Sequence, residues 1–320
     1  MTAETVEAVA DTLPPVRPAT GRRLLALAGA GVLLALLLYY PVGAWRAHKI
    51  DDDVSFHPDG YQPNQSMAVA VAAALLHREI DVHGWTANKP FFMPAAILDD
   101  MPAYQKGITA ALGRFAIEMD EAVGRDPAAP EGDADLARAA GLLQYPPNIW
   151  MIDPAVPWAT TLSTDKQYRN AARALEAYNL RLAAGTAAFS RQAETLRGVT
   201  ERFAKALGDT AAGLDPETAV KTDQPWRSDR AFYDAKGRAY ASFMVLRGLG
   251  GDFAELLAER GLGDRWQAML TSLRHAAEPR PLVVLDGAAD SLVVPNHLAN
   301  QGFQLLRARD QLAQLAEALR

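Results

Sequence analysis

The residues best suited to chemistry are thinly spread along this chain. Its six histidines are His48, His57, His77, His83, His275 and His297. No two are separated by the four residues that would set a pair of imidazoles on one helical face to hold a metal. His77 and His83 flank Glu79 and Asp81, a set that reads as a solvated helix end before it reads as a metal site. Asp99 and Asp100 are adjacent, so their side chains leave the backbone in different directions and form no acid/base pair on their own. Followed by Met101 and Pro102, they read as a helix cap with proline in the first turn. No G-x-S-x-G elbow, P-loop or dinucleotide fingerprint occurs. Gly248–Gly251 is the nearest thing to a glycine-rich loop and reads as a helix stop.

Composition narrows the chemistry further. There is no cysteine in 320 residues, which removes disulfides, zinc–thiolate sites, iron–sulfur clusters and thiol nucleophiles. The formal charge of −6 is spread without a basic stripe, which argues against a nucleic-acid partner. No cofactor is implied.

Two aromatic loops are the best binding candidates. One carries Trp85, Asn88, Phe91 and Phe92 and runs on to Asp99 and Asp100. The other, residues 145–158, carries Tyr145, Asn148, Trp150, Asp153 and Trp158. Rings beside amides and carboxylates suit glycans or peptides. The competing reading is that these loops wrap the helices and bury their rings as core.

The element that fixes the address of all these residues is Leu24–Val42, nineteen positions without a charge. As a helix it spans about 28 Å, close to the hydrocarbon core of a bilayer. Tyr39, Tyr40 and Trp45 cluster at its C-terminal end, where an interfacial aromatic belt sits. Arg17, Arg22 and Arg23 precede it, against Arg46 and Lys49 after it, a bias that keeps the N-terminus cytoplasmic. The alternatives are a signal peptide cleaved after Ala44, for which the apolar run is long, and the buried helix of a soluble protein. Small residues at Ala26/Ala30 and Gly31/Ala35 permit helix association in lipid.

Residues 1–23 read as a cytoplasmic tail, 24–42 as the membrane span, 43–65 as a polar stalk in which Asp51–Asp53 is solvated, and 66–320 as a helical body. Ser66 caps an apolar helix, and a second, amphipathic helix runs from Asp100 to Val123. Tyr168, Leu175, Leu182, Phe189, Leu196 and Phe203 recur every seven residues, which predicts one very long helix over about 165–207. Gly208–Pro225 reads as a break, Asp229 as the cap of a further helix, and 252–276 as two short helices divided at Gly261 and Gly263. The run 282–287, LVVLDG, is the one strand-like segment. Leu298, Leu305, Leu312 and Leu319 repeat the heptad on a last helix starting near Asn296, expected to pack on the long one or to form a homodimer seam.

The anchor, Asp99-Asp100-Met101-Pro102, the Phe232–Gly237 segment FYDAKG, Val294-Pro295-Asn296-His297-Leu298 and Gln301-Gly302-Phe303 together resemble an uncharacterised family of proteobacterial inner-membrane proteins, a domain of unknown function with a single N-terminal span. The resemblance extends over most of residues 40–320 and brings no activity or catalytic residue. The expectation is therefore a mainly α protein: a single transmembrane helix of the bacterial inner membrane plus an all-helical periplasmic domain built around one very long helix. Its expected role is structural, scaffolding or accessory in cell-envelope assembly, leaning away from catalysis, with the lipid bilayer and an envelope protein or a second copy as partners. The alternative is a glycan- or peptide-binding or -hydrolysing envelope enzyme working through residues 85–102 and 145–158.

Overall fold

The computed structural model describes residues 19–125, 131–152, 158, 161–214, 225–281, 283–285 and 296–320. They form an all-helical protein with no strand among them. Helix α1, Ala19–Ala47, leaves its apolar side chains in the open as far as Val42, consistent with a surface made for lipid rather than for protein.

The body is built around α2, Met67–His77. The Ser66 hydroxyl accepts from Val69 N–H at 3.2 Å, an ordinary N-cap. Val69, Val71, Ala72, Leu75 and Leu76 are buried all around the helix, so α2 is a core element covered on several sides. It lies against α5, Thr164–Ala183, and α7, Pro225–Asp252. The α7 helix also packs along α3, Asp100–Gly124, and α4, Ala134–Leu143, joins α3 to α5. On the other side, α6, Ala193–Ala212, packs on α10, His297–Ala318, which rests on α9, Gly263–Ala277. The short α8, Ala254–Glu259, links α7 to α9.

The α3–α7 crossing is tight because both helices present glycine. A Cβ added to Gly107 would overlap the Asp234 carbonyl, and one added to Gly237 would overlap the Tyr104 carbonyl. The two backbones therefore touch where other residue pairs would hold them 8–10 Å apart at the axes.

Several expectations need correction. The very long helix is two helices, because the chain turns at Gly185, which has φ +70°. Thr186 N–H bonds Arg181 O at 2.9 Å and Gly185 N–H bonds Leu182 O at 3.0 Å, the pattern of a glycine-terminated helix. The heptad survives the break because both helices turn the same stripe inward: Tyr168, Leu175 and Leu182 on α5, Leu196 and Phe203 on α6. Phe189 sits in the connection, edge-on to Phe253 at 5.7 Å.

Leu298, Leu305, Leu312 and Leu319 are buried within the chain, so the last heptad is an internal seam. Gly208 does not stop its helix, whereas Gly248–Gly251 lie in the last turns of α7, which ends at Asp252 as expected. Gly248 lies against the backbone of Met67 and Ala68, and Gly250 against the indole of Trp266. Asp229 falls inside α7 rather than capping it. The strand-like run is described only at 283–285, which is irregular. Helix α4 escaped the sequence reading although Asp133 caps it by accepting from Asp135 and Leu136 N–H. The break at Gly261 (φ +64°) and the start of α10 beside Asn296 are as expected, and the Asn296 side chain caps the helix.

Candidate functional site

The densest polar arrangement lies where the chain leaves α1 and enters the body. Residues 51–56 were expected to be a solvated stalk. Instead their backbone is held by side chains of α3, α7 and the π-helical turn Arg78–Val82, and only the Asp53 and Ser55 side chains stay exposed. Tyr104 O–H donates to Asp51 O at 2.6 Å and Tyr240 O–H to Asp53 O at 2.8 Å. Arg78 donates to Asp51 O at 2.9 Å and to the Tyr240 hydroxyl at 2.9 Å. Arg247 donates to the Val54 and Phe56 carbonyls. The Arg78 guanidinium also lies 5.0 Å over the Phe56 ring and 5.1 Å over Tyr240.

At the centre of this clamp, Asp52 Oδ2 is 2.5 Å from Lys236 Nζ, both side chains being closed to solvent. Lys236 also donates to the carbonyls of Ala277 and Pro279, so all three of its donors are used. Arg280 closes the other side of Asp52. Burial pulls the Lys236 amine below the usual lysine range, only partly countered by Asp52. Burial pushes Asp52 up, but its bonds to Arg280 and Lys236 outweigh that and hold it below the usual carboxylate range. The short π-helical turn Arg78–Val82 places Arg78 and Glu79, both buried, next to this cluster. Sequence reasoning overlooked it. The available signal was Lys236 itself, four residues from Phe232 and from Tyr240 on the buried stripe of α7.

The predicted binding residues divide into two groups. Trp85 is core: it is 1% exposed, donates from Nε1 to Pro147 O at 2.9 Å and lies edge-on to Tyr168. Asn88 is also buried and donates from Nδ2 to Ile149 O and Asp165 Oδ1, both at 3.0 Å. These bonds, with the Phe92–Trp150 ring contact at 5.7 Å, join the two aromatic loops side by side. Asn148 is exposed and Trp150 half-buried. Asp153 lies outside the described residues.

Asp99 does not cap α3. It occupies the cap position, but its carboxylate pairs with Arg230, with Nε at 3.0 Å. Asp100 stands in the first turn, 4.0 Å from His48, and burial with the nearby Asp229 pushes its carboxyl up. Asp99 and Arg230 edge a cleft of about 400 Å³ lined also by Lys89, Lys106 and Asp234. Arg230 and Asp234 also border a cleft of about 530 Å³ between α3, α6 and α7, which holds Arg114 and Arg238. Charges of both signs on short walls suit a small polar ligand.

No S-x-x-K spacing was expected, yet Ser163-Thr164-Asp165-Lys166 has it. Ser163 is buried at the start of α5 with its hydroxyl on Asp165, and Lys166 is exposed, so the spacing builds no nucleophile and base. His77 does not stand alone at a helix end: its Nδ1 is 2.8 Å from Asp81 and its Nε2 is 3.0 Å from Glu176. No group of three or more histidine and carboxylate side chains suited to a metal occurs among the described residues.

Comparison with known proteins gives no match among curated proteins and none among solved structures. A family model matches residues 45–219, from the end of α1 through α6. The match thus takes in the clamped segment, both aromatic loops and Asp99-Asp100-Met101-Pro102. The Phe232–Gly237 and Val294–Leu298 segments, which contributed to the resemblance, lie beyond it. The chain belongs to DUF2333, a family of uncharacterised proteins conserved in bacteria.

Proposed function

We propose that this protein is a single-pass anchor of the bacterial inner membrane, N-terminus in the cytoplasm and helical body in the periplasm, acting as a scaffolding or accessory factor in envelope assembly. The observation that carries this reading is the clamp on residues 51–56. A flexible leash only retains a domain near a membrane. Here the chain passes from α1 to a buried ion pair within a few residues, so the position of α1 sets that of the body. That is useful to a protein whose task is to present a surface at a fixed place, to an envelope protein or to a second copy of itself. Two measurements test this. Alkaline phosphatase fused after Arg320 is active in export assays; an inactive fusion reverses the orientation. Purified full-length chain shows no turnover of peptidoglycan or peptide substrates; turnover abolished by one polar substitution overturns the scaffolding role.

A second reading, glycan or peptide binding or hydrolysis, keeps one favourable observation: the joined aromatic loops adjoin the Asp99–Arg230 cleft. The burial of Trp85 counts against it. Under this reading Arg230→Gln loses binding of peptidoglycan fragments in calorimetry while the fold is unchanged.

A further inference from the structure

The loop 90–97 reaches back along α1 toward the apolar run. Tyr40 O–H donates to Phe91 O at 3.0 Å and Tyr39 O–H to Phe92 O at 3.1 Å. One turn further on, Gly43 leaves room for the ring of Pro94, where any Cβ would overlap. The loop therefore stands level with residues 39–43 of α1, at the C-terminal end of the apolar run and before the first charge, Arg46. At that level Phe91 is 84% exposed and Phe92 46% exposed. Their rings touch each other, and Phe92 touches Trp150, so the aromatic surface continues from Tyr39 and Tyr40 onto the body.

The carbonyls at the tip of this loop have protein partners. Pro90 and Pro94 carry no N–H. The Phe91 and Phe92 carbonyls accept from the two tyrosines, Met93 N–H bonds Pro90 O at 2.9 Å, and Ala96 N–H bonds Met93 O at 3.0 Å. Water is the ordinary partner of loop carbonyls; pairing them internally matters where water is scarce. Lys89 precedes the loop in the chain and Arg46 and Lys49 follow the apolar run, basic side chains of the kind that pair with lipid phosphates.

We propose that loop 90–97 is a second membrane contact, with Phe91 and Phe92 seated in the headgroup–acyl boundary beside the emerging α1. The inference rests on α1 being a membrane anchor. With the anchor and the loop both held, the body has a fixed face toward the bilayer instead of swinging on a single point.

The absence of cysteine makes the test direct. Phe91→Cys, Leu33→Cys and Asp59→Cys are each made in the full-length chain, labelled with an environment-sensitive fluorophore, and reconstituted into phosphatidylethanolamine–phosphatidylglycerol vesicles. The label at 91 is expected to shift to the blue and to be quenched severalfold by a shallow lipid-borne nitroxide, while the label at 59 responds only to aqueous iodide. A label at 91 quenched by iodide as strongly as the one at 59, with the label at 33 in lipid, overturns the second contact and leaves the anchor standing. A label at 33 that iodide reaches overturns the anchor, and the contact with it.

Discussion

Lys236 Nζ lies 2.5 Å from Asp52 Oδ2, and neither side chain meets solvent. One residue belongs to the segment just after α1 and the other to the middle of α7, so this contact couples the segment that follows α1 to the core of the body. Removing one partner leaves the other charge buried and unpaired. Lys236→Met or Asp52→Ala is expected to cost about 3–5 kcal/mol in equilibrium unfolding, while the double substitution recovers a large part of the loss. Single variants within error of the wild type would show that the pair is not closed to water.

The α3–α7 crossing yields a second expectation. Gly237→Ala forces a methyl group into the Tyr104 carbonyl, and Gly107→Ala does the same at Asp234. Since the obstruction is backbone, no rotamer change relieves it. Each is expected to lower stability by about 3 kcal/mol, at the upper end for overpacking. A thermal midpoint unchanged in either variant would mean the helices separate freely.

The predicted binding residues should separate by burial. Trp85→Ala removes a core ring and the hydrogen bond to Pro147, costing about 3–5 kcal/mol. Asn148→Ala, at an exposed position, stays within about 0.5 kcal/mol. Parallel melting curves decide between them, and equal effects would contradict the assignment of Trp85 to the core.

Arg181 joins α5 to α4 by bonding Asp133, the α4 cap, at 2.7 and 2.8 Å, and Asp135 at 2.6 Å. Burial raises the Asp133 carboxyl, but its bonds to Arg181 and to the cap amides outweigh that and hold it low. Its folded value is thus below its unfolded one. The stabilisation is complete above the unfolded value, about pH 4, and is lost as pH falls through the folded value. Arg181→Met should cost about 1 kcal/mol at neutral pH, discounted for the half-open guanidinium. The gap from wild type should narrow below about pH 4. A gap that is constant with pH would remove Asp133 from the clasp.

The heptad leucines, the Ser66 cap, the helix start near Asn296 and the nineteen-residue apolar run were legible because each is a local pattern. Periodicity reports which face of a helix is buried, so it identified the inward stripes of α5, α6 and α10 correctly. It carries no information on whether the backbone continues between them. Gly185 ends α5 with a positive φ, a feature that glycine permits but does not require. Gly248 and Gly250 show the converse: the same residue type, inside a helix, serves close packing instead.

By itself, then, the sequence determined the helical class, the apolar α1 and most helix starts, because backbone hydrogen bonding and amphipathic burial act over a few residues. Only the tertiary structure decided that the backbone at Asp51 and Asp53 is clamped and Asp52 buried while the Asp53 carboxylate stays exposed, that Trp85 is core, and that Asp99 meets Arg230. Each of those outcomes depends on a partner more than fifty residues away. A charge or ring has the same local signature whether it faces water or a complementary group, and only the packed chain supplies that group.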